Sequence, residues 1–488
     1  MNVQKDSMEL LLSPNRVFYY VVKEGIVKKE FRKMIELDDS WDVVVAGGGP
    51  AGCAAAISAA EAGCRTLLLE STGILGGMGT SGLVPGWAPY YRAGNTSIYG
   101  GLSWRIFDES RKGQSHVKND DYDWVSIDHE KLKVVYDTRV AASGAKILFN
   151  TLVTDAVTVD NESESGMITV DYIIISNKNG IRGIKGKVFV DATGDGDIAV
   201  WAGAPFEKGG LKNDLQPATH CFTLSNVDTF AYQTGDEPNH TNIHGRVYKI
   251  AKDPKYPLAK DGHFCNNLLG PGSVGFNAGH IWGVDNTDPE SVSDALRKGR
   301  LIARELTEAL KDYYPKAFGN SFLSATAPML GVRETRRITG NYIITIDDFL
   351  ERKKFDDDIG RNAYPVDIHT AADEIEDSIK GKVQGIFRYE HYQPGETHGI
   401  PYRSLVPKNL SNVLISGRCI STDRHVNGSV RVMPVALVTG EAAGTAAAMA
   451  AGGTGAVRSI NVGVLQDKLR KRGAYLPDSA GLTGNCSD

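Results

Sequence analysis

The residues whose types and spacing most plainly imply chemistry lie between 42 and 70, in DVVVAGGGPAGCAAAISAAEAGCRTLLLE. Gly47, Gly49 and Gly52 have the spacing G-x-G-x-x-G. In that pattern the first glycine makes a tight turn, the second lets backbone approach a pyrophosphate, and the third lets a helix pack on a strand. Glu70 closes the next apolar run, where a carboxylate accepts hydrogen bonds from ribose hydroxyls and repels a 2′-phosphate. The chemistry is dinucleotide binding, which NAD and FAD share. Three elements must position these residues. The valines of DVVVA predict a short buried strand, Pro50 to Ala62 a helix without breakers, and TLLLE a second strand. The positive end of the helix would then meet phosphate.

The chain has 488 residues, enough for roughly three domains or for one cofactor fold with a large insertion. A net charge of −5 gives no basic field for nucleic acid. The six cysteines, Cys53, Cys64, Cys221, Cys265, Cys419 and Cys486, form no C-x-x-C pair, so neither a redox dithiol nor an iron–sulfur set is expected. No His/Cys/carboxylate set has close metal-ligand spacing, and no metal is expected. The N-terminus lacks a secretory pattern. The longest apolar stretch, 433 to 451, contains Glu441 and several Thr and Gly residues, and predicts a buried helix instead of a membrane span. A soluble, cytoplasmic protein without membrane partners is expected.

Residues 1–40 read as an N-terminal arm. After Glu70, STGILGGMGTSGLVPGW is too rich in glycine for a regular helix and predicts a loop able to wrap a ligand. From Asp128 the pattern is helix, turn, strand, turn, strand, and alternation near 168–175 and 181–190 predicts a β-meander. KVFVDATGDGDIAVWAGA repeats the opening logic of strand, Gly-Asp turn and helix. Residues 206–400 have a different texture, richer in aromatic, Asn, Asp and His residues, and predict an inserted α+β substrate domain. Within it an amphipathic helix starts at Asp288, with Pro289 in its first turn. Residues 401–455 return to the first sheet, and 456–488 form a C-terminal tail.

Gly-containing turns at 47, 76, 194 and 417 are more than a NAD domain uses. With DVVVAGGGPAG, LGGMGTSGLV, DATGDGD, APMLGVRETRRITGNY, DIH, IPYRSLVP and SGRCIS...GSVRVMP...GEAAGTAAA, the chain resembles the FAD-dependent oxidoreductases of the glutathione-reductase structural type, over about residues 41 to 455. The resemblance implies an α/β fold with a Rossmann-like FAD-binding domain, 41–205 plus 401–455, and noncovalent FAD. It would place Gly47, Gly49, Pro50, Ala51 and Gly52 on the pyrophosphate and Glu70 on the adenosine ribose. Gly76, Gly77, Met78 and Thr80 would line the isoalloxazine loop, and Val153 would meet the adenine. Thr193 and Gly194 match the family's A-T-G turn, with Asp195 beside it. Gly417, Arg418, Ser429, Val432 and Met433 would follow the ribityl chain to the N1/O2 edge, where a helix dipole stabilises negative charge. Neither a second G-x-G-x-x-G nor a Cys pair after the GGMGTSG loop is present, so no dedicated NAD(P)H domain and no disulfide reductase are expected. Gly76 to Leu83 contain no His or Cys for a covalent flavin bond.

The expected reaction is hydride transfer between flavin N5 and a small organic molecule, with oxidation of a hydroxylated, sugar-like or amine compound preferred. The alternatives are a flavin-dependent reductase and a non-redox protein that keeps FAD as a structural ligand. Arg333, Glu334, Arg336 and Arg337 would fall within about one helical turn. Such guanidiniums could hold a substrate carboxylate or a flavin phosphate, and Glu334 among them favours an internal Arg–Glu network between domains. His425, His220, His280, His369 and His398 are candidates for the base that removes a substrate proton, each weighed against a structural role. His425 is favoured because it lies in a loop before the last long helix. The substrate, the electron acceptor (oxygen, a quinone or another protein) and any homo-oligomer are left open.

Overall fold

A computed structural model of the chain describes residues 20–23, 26–29, 33–160, 166–210, 214–239, 241–242, 244–369 and 392–477. The run of valines forms strand β1, Leu37–Ala46, followed by helix α1, Pro50–Glu61, and strand β2, Thr66–Leu69. β1 is covered on both faces. Val43 and Val45 belong to the core that contains α1, whereas Val44 and Ala46 belong to the layer on the other face. This follows from side chains alternating along a strand whose sheet is buried on both sides.

Helices α2, Gly101–Arg111, and α3, His129–Ala142, come next. Asp128 caps α3 by accepting from the Lys131 N–H. Strands β3, Lys146–Leu148, β4, Leu152–Asp160, β5, Ile168–Asn177, and β6, Gly180–Asp191, complete a sheet of order β3-β2-β1-β6-β5-β4. The first four run parallel, and β4, β5 and β6 form the expected antiparallel meander. β6 belongs to both parts. Its first half pairs with β5, and its end, Phe189 to Asp191, lies between β1 and the returning strand Val413–Ile415. The short helix α4, Asp197–Trp201, follows. This is the expected α/β architecture, a Rossmann-like unit with a meander.

The inserted unit has its own antiparallel sheet. Strands β7, Phe222–Ser225, β8, Phe264–Gly270, β9, Ser273–Ala278, and β10, Phe322–Thr326, lie in the order β8-β9-β7-β10. Helix α5, Pro289–Tyr313, packs on it and is capped by Asp288, which accepts from the Glu290 N–H. The core of this unit draws on Ala218 to Val332, a shorter span than the expected 206–400. Ile344, Phe349, Ile359, Ile400 and Tyr402 are buried in the first core instead. The paired strands Asp358–Asn362 and His398–Pro401 are too small to build an apolar layer of their own. Part of the expected domain, 370–391, lies outside the described residues.

Helices α6, Arg424–Val430, α7, Met433–Ala451, and α8, Val462–Lys471, close the chain. α7 is buried along almost its whole length against α1. A Cβ on Gly440 or Gly444 would sit 2.1 Å from the carbonyl oxygen of Ala51 or Ala55. The expected C-terminal tail is a packed element as far as 477. Leu465 and Leu469 of α8 join the first core, and Arg472 reaches Glu441 at 2.8 Å and Glu61 at 2.7 Å. Of the expected N-terminal arm, Tyr20–Lys23 and Ile26–Lys29 pair as an antiparallel hairpin. Among the described residues no single helix is long and apolar enough to cross a membrane.

Candidate active site

A cavity of about 1490 Å³ runs from the β1–α1 turn to the inserted unit. The three glycines of the turn have different roles. Gly47 has φ +94°, and a Cβ there would meet the Ala192 carbonyl oxygen at 2.5 Å. A Cβ on Gly52, which is off the cavity wall, would collide with the Gly47 oxygen. Gly49 has no neighbour within 4 Å of where its Cβ would stand, and lines the cavity as the N-cap of α1 with Gly47, Pro50 and Ala51. The first turn of α1 has no side-chain cap and no acidic residue, so its N–H groups remain available to an anion.

Glu70 also lines the cavity, and both its oxygens are engaged. Oε2 accepts from the Gly48 N–H at 2.7 Å and Oε1 from the Thr72 N–H at 2.7 Å. Gly77, Met78 and Val153 are on the wall. Gly76 and Thr80 are not. Gly76 packs against the Tyr136 ring, and the Thr80 hydroxyl donates to the Leu75 carbonyl at 2.6 Å, so both shape the loop from behind.

The second turn is built from within by Asp191, a fully buried carboxylate whose pKa burial raises. It accepts from the Thr193 hydroxyl at 2.7 Å and from the Ala199 N–H at 3.0 Å, which places Thr193 and Gly194 on the wall. Asp195, also on the wall, accepts from Arg418 and Asn286, both at 2.6 Å, and from the Thr335 hydroxyl. Burial opposes its charge, but Arg418 and the hydroxyl of Thr335 hold its pKa low. Arg418 lines the cavity beside Gly417, with its guanidinium also bonded to the Gly194 and Val332 carbonyls. It thereby ties the two units together. Val432 and Met433 line the cavity at the start of α7, another helix without a side-chain cap or acidic first turn. Ser429 is buried off the wall, where its hydroxyl donates to the Tyr364 carbonyl.

Several expected catalytic residues lie elsewhere. His425 is on α6, not in a loop, and off the cavity wall, because Asp423 caps a helix there by accepting from the Val426 N–H. The His220 ring bonds through Nε2 to the Ala327 carbonyl and packs against Gly299 of α5, away from the cavity. His398 is buried against Tyr392 and Asn362. The segment Arg333 to Arg337 is not helical: it bends at Thr335 and enters a strand, Arg336–Ile338, paired to Phe206–Lys208, so its side chains diverge where a single helical turn was expected. Arg336 pairs with Asp197, while Arg337 and Arg424 meet Glu334. Arg333 alone of this group reaches the cavity.

Around Arg333 the fold gathers three histidines that are far apart in sequence. His263, which the sequence reading passed over, lines the cavity with His369, and His280 lies behind them. His280 Nε2 is 2.8 Å from His369 Nδ1, and His280 Nδ1 is 2.9 Å from Asp261. His369 Nε2 lies 3.4 Å from Asp367, which also contacts Arg431. Burial, then the Arg333 charge, lowers His369 to about 3. Burial, His280 and Arg333 push His263 well below its ordinary value. Burial and Arg431 lower Arg333 to about 10. Burial would raise Asp367, but contact with His369 and the charges of Arg431 and Arg333 hold it far below the usual range.

The sequence shows no close metal-ligand spacing, but the fold brings ligand atoms of His263, His280 and His369 within 4.8 Å of one another. As arranged they suit hydrogen bonding better. The His263 and His280 rings are stacked, 4.3 Å apart and 6° from parallel, so their in-plane lone pairs cannot meet at one ion. The Arg333 guanidinium at 3.0 Å from His263 Nε2 also repels a cation.

A Rossmann-like unit with a pyrophosphate-type turn, opening on a cavity shared with an inserted unit, is the framework of a dinucleotide-dependent enzyme. The chain belongs to the FAD-dependent oxidoreductase family, whose profile matches residues 42–469. FAD is the cofactor of that family. A stretch of 37 residues is 67% identical to the tRNA uridine 5-carboxymethylaminomethyl modification enzyme of Geotalea uraniireducens, covering 8% of this chain and 6% of that protein. Another of 47 residues is 49% identical to dihydrolipoyl dehydrogenase of Trypanosoma brucei brucei, 10% of each. The chain thus spans a tenth or less of the length of these curated relatives. A geranylgeranyl bacteriochlorophyll reductase-like protein from Thermoplasma acidophilum has a TM-score of 0.41 at 13% identity, over 90% of this chain and 83% of that one.

Proposed function

We propose that this chain is a flavoenzyme that binds FAD noncovalently and oxidises a small hydroxylated or amine compound held against the inserted unit. The observation that carries the reading is a single cavity with an anion-ready turn at one end and a buried Asp261–His280–His369 chain at the other. Bound FAD supplies a two-electron acceptor at N5. Gly47, Gly49 and the N-terminus of α1 would hold its pyrophosphate, and the space at Gly49 fits this role. Gly77, Met78, Val432 and Met433 would border the flavin ring, where the uncapped N-terminus of α7 offers a positive dipole end.

The histidine chain offers a path for a proton: His280 Nε2 and His369 Nδ1 are within hydrogen-bond distance at 2.8 Å, and Asp261 lies 2.9 Å from His280 Nδ1. His369 would take the proton of a substrate hydroxyl or amine; burial and the Arg333 charge weaken it as a base, and Asp367, 3.4 Å from its Nε2, favours the protonated ring. The same groups would donate the proton if the enzyme ran as a reductase.

Anaerobic mixing of the yellow holoenzyme with alcohols, sugars and amines tests the reading. One class of compound should bleach the flavin, and His369→Gln should slow bleaching by ~10²–10⁴ with the resting spectrum intact. Bleaching of the variant at the wild-type rate would remove His369 as the base. Bleaching by none of the compounds, with reoxidation of chemically reduced enzyme by an unsaturated acceptor, would reverse the direction.

A further inference from the structure

Arg333 is only 6% exposed. Of the other buried arginines, Arg337 has Glu334 at 2.6 Å, Arg361 is paired with Asp358 at 2.5 Å, and Arg111 has Asp108 at 3.4 Å. Among the described residues Arg333 has no carboxylate within ion-pair distance. Its guanidinium donates to neutral acceptors, the Pro217 carbonyl at 2.8 Å, the Thr219 hydroxyl at 2.7 Å, His263 Nε2 at 3.0 Å and, more loosely, Asn277 Oδ1 at 3.4 Å. A buried charge is costly unless paired, and this one borders a cavity large enough to admit its partner.

We infer that the Arg333 wall is an anion subsite for a carboxylate on the substrate, with Arg333 as its anchor. This rests on the proposed function in that it places the anion next to the site of hydride transfer. The unmet need is local: Arg431 contacts Asp367 and Asp261 lies against His280, and neither carboxylate reaches the Arg333 guanidinium. A planar guanidinium fork complements a carboxylate in shape as well as charge. The cofactor's phosphates are a less suitable partner, because every bond of Arg333 goes to the inserted unit or the segment leading into it, whereas the phosphate turn lies on the other unit. Of the other acidic residues on the wall, Asp120, Asp121, Asp123 and Glu237 are exposed, where water screens them, Asp195 and Asp197 pair with Arg418 and Arg336, and Glu70 holds backbone N–H groups. Tyr364 on the same wall offers a surface for the body of the substrate.

The test titrates holoenzyme with acetate, benzoate, benzamide and phenyl phosphate and reads the visible flavin spectrum. A carboxylate should shift the spectrum saturably, benzamide should not, and phenyl phosphate should bind more weakly than benzoate. Arg333→Met should raise the carboxylate Kd about tenfold or more while FAD content stays that of wild type. Arg333→Lys, which keeps the charge but loses the fork, should fall between and serves if the Met variant does not fold. Equal binding of benzamide and benzoate, tighter binding of phenyl phosphate, no response to either carboxylate, or loss of FAD from the folded Arg333 variants would each overturn the assignment. Failure of the two ideas is distinguishable. A holoenzyme that no compound reduces, yet that prefers benzoate to benzamide, sinks the redox reading and leaves the subsite. Turnover of uncharged substrates without carboxylate binding does the reverse.

Discussion

At the scale of single residues, Glu70 shows how one carboxylate serves a turn and a ligand together. Its two oxygens hold the Gly48 and Thr72 N–H groups, so it fixes the backbone on both sides of the cavity mouth before any ribose arrives. Glu70→Ala should therefore weaken FAD retention without unfolding the chain, by ~1.5–3 kcal/mol for a charge-assisted contact. The FAD-to-protein ratio after extensive gel filtration checks this, and full occupancy in the variant would exclude Glu70 from the cofactor site. Glu70→Gln is informative beside it, since its amide NH₂ cannot accept from either backbone N–H.

At the scale of elements, the contact between α1 and α7 is a tight constraint near the cavity. Both helices begin on its wall, so their mutual spacing sets the distance between the two N-terminal ends offered to the cofactor. Small residues let the backbones approach, and a methyl group on Gly440 would stand 2.1 Å from the Ala51 carbonyl oxygen. Backbone cannot yield there as a flexible side chain could. Gly440→Ala should lower stability by ~1–3 kcal/mol and loosen FAD. Thermal melts with and without added FAD measure both effects, and a variant that melts and binds like wild type would show that the helices can part at no cost. The glycine acts here through packing, where on a solvent-facing helix the same substitution would stabilise.

At the scale of the whole molecule, burial of neutral histidines makes the fold sensitive to acid. His369 and His398 are lowered to about 3 by burial, with the nearby arginines Arg333 and Arg361 adding to it. In the unfolded chain such groups titrate near ~6.5. Between those values the unfolded state binds more protons than the folded one, so stability falls as pH drops below ~6.5 and is fully present above it. Each such histidine contributes a slope of up to ~1.4 kcal/mol per pH unit in that window. Melting temperatures should fall from neutral pH to about pH 5, and His398→Gln, remote from the cavity, should flatten the profile. A variant with the wild-type slope would mean that His398 is already solvated in the folded state.

The cofactor end of this protein is legible in the sequence because it is local. Turn, helix and strand lie within residues 42–70, and the requirements for tight backbone approach name their own residues: Gly47, Gly49 and Gly52. The meander, the capped helix from Asp288 and the buried helix from Met433 follow from periodicity and caps in the same way. The far wall is different. His263, His280, His369 and Arg333 come from separate segments that no spacing connects, and only the folding of the inserted unit and the docking of His369 beside it bring them together. Which arginine of Arg333 to Arg337 faces the cavity depended on the bend at Thr335 and the strand that begins at Arg336. His425 was excluded by a cap at Asp423 that converts its loop into a helix. Local sequence determines elements through short-range sterics and hydrogen bonds. Burial, charge pairing and access to a cavity are long-range properties, and the tertiary structure alone decides them.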